Sequence, residues 1–152
     1  MSVQRIGACA RAEDREEARN ALLISSYGGF LVAQAAAKRM LPHGAGTILL
    51  TGASASVKGY PHSAVFAMGK FALRGLAQSM ARELAPKGIH VAHFVIDGGV
   101  RNAARGRVEG ANVLPDSFLD PDAIAESYMH VVKQPRSAWT WEVELRSWVE
   151  RF

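Results

Sequence analysis

Residues Thr47 to Ile96, TILLTGASASVKGYPHSAVFAMGKFALRGLAQSMARELAPKGIHVAHFVI, decide the fold. Ile48-Leu49-Leu50 is a short apolar run closed by Gly52, and a turn at Gly59-Tyr60-Pro61 leads into a long helical pattern, from about His62 to Ala85, that stops at Pro86 and Gly88. From His90 to Ile96 a β-branched and apolar run follows, bounded by Gly88 and by Gly98-Gly99. Strand, crossover helix and strand make a βαβ unit, so the two strands are expected to be parallel.

Outward from this unit the pattern stays α/β. Asn20 to Leu41 is helical, with Leu23, Tyr27, Phe30, Leu31, Gln34 and Ala35 on overlapping rows, and Pro42 and Gly44 end it. In the helix from His62, Leu73, Leu76, Met80 and Leu84, with Val65, Met68 and Ala72, form the apolar face, and Arg74, Arg82 and Glu83 mark the wet side. Asp120-Pro121 is a helix start, N-cap followed by proline, for a helix to about Lys133. Trp139 to Leu145 alternates apolar and polar residues and reads as a last strand with both tryptophans on one side. Between Asp97 and Leu119 lies a long loop without a period. Residues 1–19 are polar and charged, a tail or a helix extension, and residues 20–152 form one partial Rossmann-like α/β unit: about three parallel strands with flanking helices.

Composition narrows the function classes. The net charge is +4, from 18 basic and 14 acidic residues. Arg101, Arg105 and Arg107 are the only tight basic group and no aromatic residue interleaves with them, so no nucleic-acid surface is expected. The uncharged stretch between Arg19 and Lys38 holds Asn20, Ser25, Ser26 and Gln34, which hydrocarbon would leave unsatisfied, so no membrane span is expected. A single cysteine, Cys9, excludes an internal disulfide, and the five histidines make no metal-ligand spacing. No signal-peptide pattern opens the chain, which reads as cytoplasmic.

Lys70 lies four residues after Phe66, one turn along the same helix face and near the carboxyl end of the first strand, where open α/β sheets bind ligands. With TGAS at that strand end and DGG after the second strand, the chain resembles the short-chain dehydrogenase/reductase family over roughly residues 20 to 152. The resemblance implies NAD or NADP as cofactor and an oxidoreductase in which a strand-end serine, a helix tyrosine and a lysine four residues on cooperate. Lys70 matches the lysine. Phe66 stands at the tyrosine, Ala53 at the serine with Ser54 beside it, and Ser25 at an assisting asparagine. Lys70, Asp97, Gly98, Gly99 and Asn102 fall on cofactor-binding positions.

Phenylalanine has no proton to give, and no strand followed by GxxxGxG or GxGxxG precedes the helical region, so the isolated chain is expected to be weak or inactive. The alternatives are a non-catalytic dimerisation or interaction module and an incomplete gene product. Phe66 is expected in the core, Ser54 as a strand-end cap and His62 at the surface. The resemblance also implies a homodimer through the helices 20–41 and 62–85, whose small residues Gly28, Gly29, Ala33, Ala36, Ala37, Ala67, Gly75 and Ala81 suit close backbone approach.

Overall fold

The computed structural model describes residues 15–110 and 113–150. Most of the polar segment expected as a tail, residues 1–14, lies outside them. The rest of it, from Arg15, belongs to the first helix, so the helix starts five residues earlier than the pattern suggested. This is α1, Arg15–Leu22. It runs through a π turn, Leu23–Tyr27, into α2, Gly28–Met40, with right-handed backbone at both junctions.

Three strands follow: β1 (Gly46–Thr51), β2 (Ile89–Asp97) and β3 (Glu142–Arg146), in the order β1-β2-β3 and all parallel. Helix α3, Ala64–Leu84, links the first pair and α4, Pro121–Val132, the second. Gly46 pairs with Ile89 and Thr51 with Phe94, while His93 pairs with Glu142 and Asp97 with Arg146. Strand β2 is therefore central, and eight of its nine residues are buried, the continuous apolar reading of a strand covered on both faces. Ala33, Ala37, Ile48, Leu84, Ile89 and Val91 form the core on one face; Ala92, Phe94 and Val131, with Tyr128 and Leu49 against them, form the core on the other.

Local chemistry explains the boundaries. Leu41–His43 and Ala85–Lys87 are each a turn of 3-10 helix with proline second, closed by a left-handed glycine, Gly44 at φ 58° and Gly88 at φ 82°. Both exits satisfy the last helix carbonyls the same way. A side chain on Gly88 would strike the carbonyl oxygen of Gly44, so the exits interlock at the amino ends of β1 and β2. At the start of α4, Asp120 accepts the Asp122 N–H at 2.9 Å, with Pro121 at the first helical position.

Two expectations need correcting. Trp139 and Trp141 precede β3 and do not share one of its faces: Trp139 ends a 3-10 turn, Arg136–Ala138, and stacks on His90 at 4.7 Å. Pairing begins only where the carbonyl of Trp141 accepts the His93 N–H at 2.8 Å. The burial of α3 also differs. Ala67, Gly69, Leu73, Ala77 and Leu84 are buried, Met68 is exposed, and Arg74 turns inward. The segment after β2 is more ordered than an aperiodic loop: Val100 bridges Leu119, a 3-10 turn spans Ala103–Arg105, and Arg101 pairs with Asp120 at 2.6 Å.

Candidate functional site at the carboxyl end of β1

The carboxyl end of β1 gathers most of the residues singled out by sequence. Lys70, on the first half of α3, donates its Nζ proton to the carbonyl of Thr51, the last residue of β1, at 3.2 Å. That contact fixes a cation at the strand end, as the spacing predicted. Burial pushes the Lys70 pKa down from its ordinary value. Its Nζ lies 5.9 Å from the centroid of the Phe66 ring, one helical turn back. Phe66 is 50% exposed, so it lies outside the core in which it was expected. The ring is long enough to cover the lysine stem, and nothing apolar closes over its other face.

Ser25 sits in the π turn between α1 and α2. A Cβ on Gly69 would lie 3.3 Å from the Ser25 Oγ and 3.0 Å from the carbonyl of Ala21, so glycine lets the two helices touch next to Lys70. A π turn inside a regular helix is uncommon and recurs at functional sites. Ala53 is extended and leads a 3-10 turn, Ser54–Ser56, in which the Ala53 N–H is taken by the Oγ of Ser56 at 3.1 Å. Ser54 opens that turn and its carbonyl accepts the Val57 N–H at 3.0 Å and the Lys58 N–H at 2.9 Å. Hence Lys70, Phe66, Ser25, Ala53 and Ser54 all belong to one end of the sheet.

The remaining residues are committed elsewhere. Asp97 is buried and holds Lys58 at 3.0 Å, tying the segment after β1 to the end of β2; the hydrogen bond from Asp97 raises the Lys58 pKa. Gly98, at φ 139°, and Gly99 pack against Glu150 and Phe118. Asn102 caps the turn Ala103–Arg105 with its side-chain oxygen on the Arg105 N–H at 3.2 Å. Tyr60 and His62 are exposed in the turn before α3.

Sequence reading missed two groups here. Tyr128 of α4 stacks on Phe94 at 3.7 Å and shares a 2.8 Å hydrogen bond with the hydroxyl of Thr51. Burial raises its pKa. Beneath the site, Glu142 accepts from Arg74 Nε at 2.6 Å and Nη2 at 2.7 Å and lies 3.0 Å from His93 Nδ1. Burial acts to raise the Glu142 pKa, but the Arg74 and His93 hydrogen bonds outweigh it and hold the carboxyl below its ordinary value. His93 goes the other way: burial pushes its pKa down against the pull of Glu142, and the positive Arg74 and Lys70 add to the push. Only the polar residues at alternating positions hinted at this network, since its three members lie on three separate elements. Among the described residues no group of three or more metal-ligating side chains converges, and no helix is long and apolar enough to cross a membrane.

Known proteins share this arrangement. The family model described as enoyl-(acyl carrier protein) reductase matches residues 3–122. A crystal structure of a short-chain dehydrogenase from Rhodopseudomonas palustris is similar at 39% identity and a TM-score of 0.72, over 90% of this chain and 55% of that one. The alcohol dehydrogenase from the archaeon Thermococcus sibiricus, solved with 5-hydroxy-NADP, shares the fold at a TM-score of 0.75 and 24% identity, over 96% of this chain and 61% of that one. Among curated relatives, a 3alpha-hydroxysteroid dehydrogenase from Mediterraneibacter gnavus is 31% identical over 121 residues, 75% of this chain and 48% of that protein. The chain thus spans about half the length of these proteins.

Proposed function

Because this chain belongs to the short-chain dehydrogenase/reductase family, we propose that it forms the lysine-bearing side of a nicotinamide-cofactor site in an oxidoreductase. The observation that supports this reading is the half-buried ammonium of Lys70, held at the carboxyl end of β1 by the Thr51 carbonyl. An ammonium has three protons to donate, and Thr51 takes one, which leaves two for the hydroxyls of a ribose. When bound, NAD or NADP would supply or accept the hydride. The chain's own part is to hold the ribose through Lys70 and to offer the backbone of Gly98 and Gly99; Asp97 and Asn102, engaged with Lys58 and Arg105, contribute structure instead.

Proton transfer to or from the substrate oxygen needs a group that can lose a proton, and Phe66 has none. The reading is therefore cofactor binding with little or no turnover by this chain alone, in the reducing cytoplasm that a lone cysteine suits. A second reading, an interaction module built on the same fold, is favoured by the apolar residues exposed on the helices: Tyr27, Phe30 and Val32 on one, Phe66, Met68 and Phe71 on the other.

Fluorescence titration with NADH and NADPH tests the first reading. Saturable binding that weakens at least about tenfold in Lys70→Ala, the loss of one or two hydrogen bonds to a charged group, is the expected result. No binding by the wild-type chain, or binding indifferent to Lys70→Ala, would overturn it and leave the second.

A further inference from the structure

Beneath the turn that follows β1, a histidine, a serine and a glycine meet in a way that none of the roles above uses. His93 is 0% exposed at the middle of the central strand. Its Nδ1 faces Glu142, a carboxylate that can only accept, so Nδ1 carries the ring proton and Nε2 is a bare acceptor. That Nε2 is fully buried and has no hydrogen-bond partner.

What faces it is the turn at Gly52. A Cβ built on Gly52 would collide with both His93 Nε2 and the Oγ of Ser56, so the two groups converge on the same small space, which only glycine leaves open. Ser56 is also 0% exposed. Its Oγ accepts the Ala53 N–H, and accepting leaves the hydroxyl proton still to be placed. A buried acceptor without a donor and a buried hydroxyl proton are each unfavourable, and each removes the other's penalty.

We propose that Ser56 donates its hydroxyl proton to Nε2 of His93, and that Ser56 and His93 are thereby positioning residues for the turn that presents Ala53 and Ser54. The donors then all run in one sense from the turn: Ala53 N–H to Ser56 Oγ, Ser56 O–H to His93 Nε2, His93 Nδ1–H to Glu142, where the Arg74 guanidinium closes the chain. Arg74 lies one turn of α3 beyond Lys70, so the cation of the site and the turn opposite it are fixed to one frame. The link to function rests on the reading of this strand end as a nicotinamide site.

The test is nitrogen-15 NMR of the histidine rings at neutral pH in the wild-type chain and in Ser56→Ala, with NADH titration alongside. In the wild type, Nδ1 of His93 should be protonated and Nε2 unprotonated but shifted as a hydrogen-bond acceptor. In Ser56→Ala that resonance should move to the position of a free lone pair, and the Ala53 amide should exchange faster. NADH affinity should fall about three- to tenfold, the worth of one hydrogen bond, and Ser56→Thr, which keeps the hydroxyl, should restore it. A protonated Nε2 in the wild type, or an Nε2 resonance unchanged in Ser56→Ala, overturns the proposal. If Ser56→Ala does not fold, the wild-type ring resonances alone decide the bond. If wild type binds no NADH, the site reading falls while the ring shifts still decide the bond; a lost bond with unchanged NADH affinity overturns the positioning role.

Discussion

Replacing Glu142 by glutamine should destabilise the fold by about 2 kcal/mol, between the roughly 0–1 kcal/mol of an exposed ion pair and the 3–5 kcal/mol lost when a buried one is broken. The structure sets the value between those limits: the side chains of Arg74 and Glu142 keep 31% and 19% of their exposure, so water screens the pair in part. Two bonds of 2.6 and 2.7 Å to Arg74 and one of 3.0 Å to His93 depend on a group that accepts on every side. Glutamine keeps the shape but turns an NH2 toward one of those donors. For a chain of this length the loss corresponds to a fall in Tm of about 4–8 °C. Urea unfolding followed by tryptophan fluorescence reads it directly.

The pH dependence supplies a second check on that variant. Glu142 has a folded pKa below its ordinary 4.5, so the stability it adds is full above that value and is lost as pH falls through the folded pKa. The gap between wild type and Glu142→Gln should therefore hold from about pH 8 to pH 5 and close in stronger acid. His93 has its folded pKa below its ordinary 6.5, so below that pH the unfolded chain binds the proton first and wild-type stability declines. A difference under about 0.5 kcal/mol at neutral pH, the usual effect of a surface change, or a gap that persists in acid, would refute the role given to this network.

Two further outcomes follow from the helices. Sedimentation at high micromolar concentration should give a dimer, and Gly75→Glu, where a new side chain meets open space on α3 and leaves the fold intact, should give a monomer; a wild-type monomer refutes the helix interface, and a dimer indifferent to Gly75→Glu points to pairing along the free edge of β1. Gly88→Ala should cost at least about 2 kcal/mol in urea unfolding, because φ 82° is unfavourable to any side chain and its Cβ would strike the Gly44 carbonyl; an unchanged midpoint would mean that the two helix exits do not interlock.

The features that were legible in the sequence are those written locally. Asp120-Pro121 signals a helix start through groups two residues apart, and Pro42 with Gly44 and Pro86 with Gly88 signal exits in the same way. Lys70 could be placed at the strand end because helix periodicity and the length of the turn before it suffice. Period two misled at Trp139: an extended backbone alternates its side chains whether or not a neighbour pairs with it, and pairing begins only at the Trp141 carbonyl. Phe66 was misplaced because α3 carries large apolar residues on two faces, and a pattern cannot say which one the sheet covers. Arg74 read as wet for the same reason. Its partner lies 68 residues away, and nothing local to Arg74 announces it.

The π turn at Leu23–Tyr27 has a bearing on how this chain tolerates insertions and deletions. Such a turn holds one residue more than the regular helix around it. Removing any one of the five would let the segment relax into ordinary α-helix, but it would rotate everything before it by about 100° relative to α2, since each residue turns an α-helix by that angle. Ala21, whose carbonyl packs over Gly69, would swing away from α3, and a bulkier neighbour would come round to meet the glycine. The extra residue keeps two helical segments in phase with different neighbours: α1 with α3, and α2 with the sheet. Substitutions in these five positions should be absorbed far more readily than a change in their number.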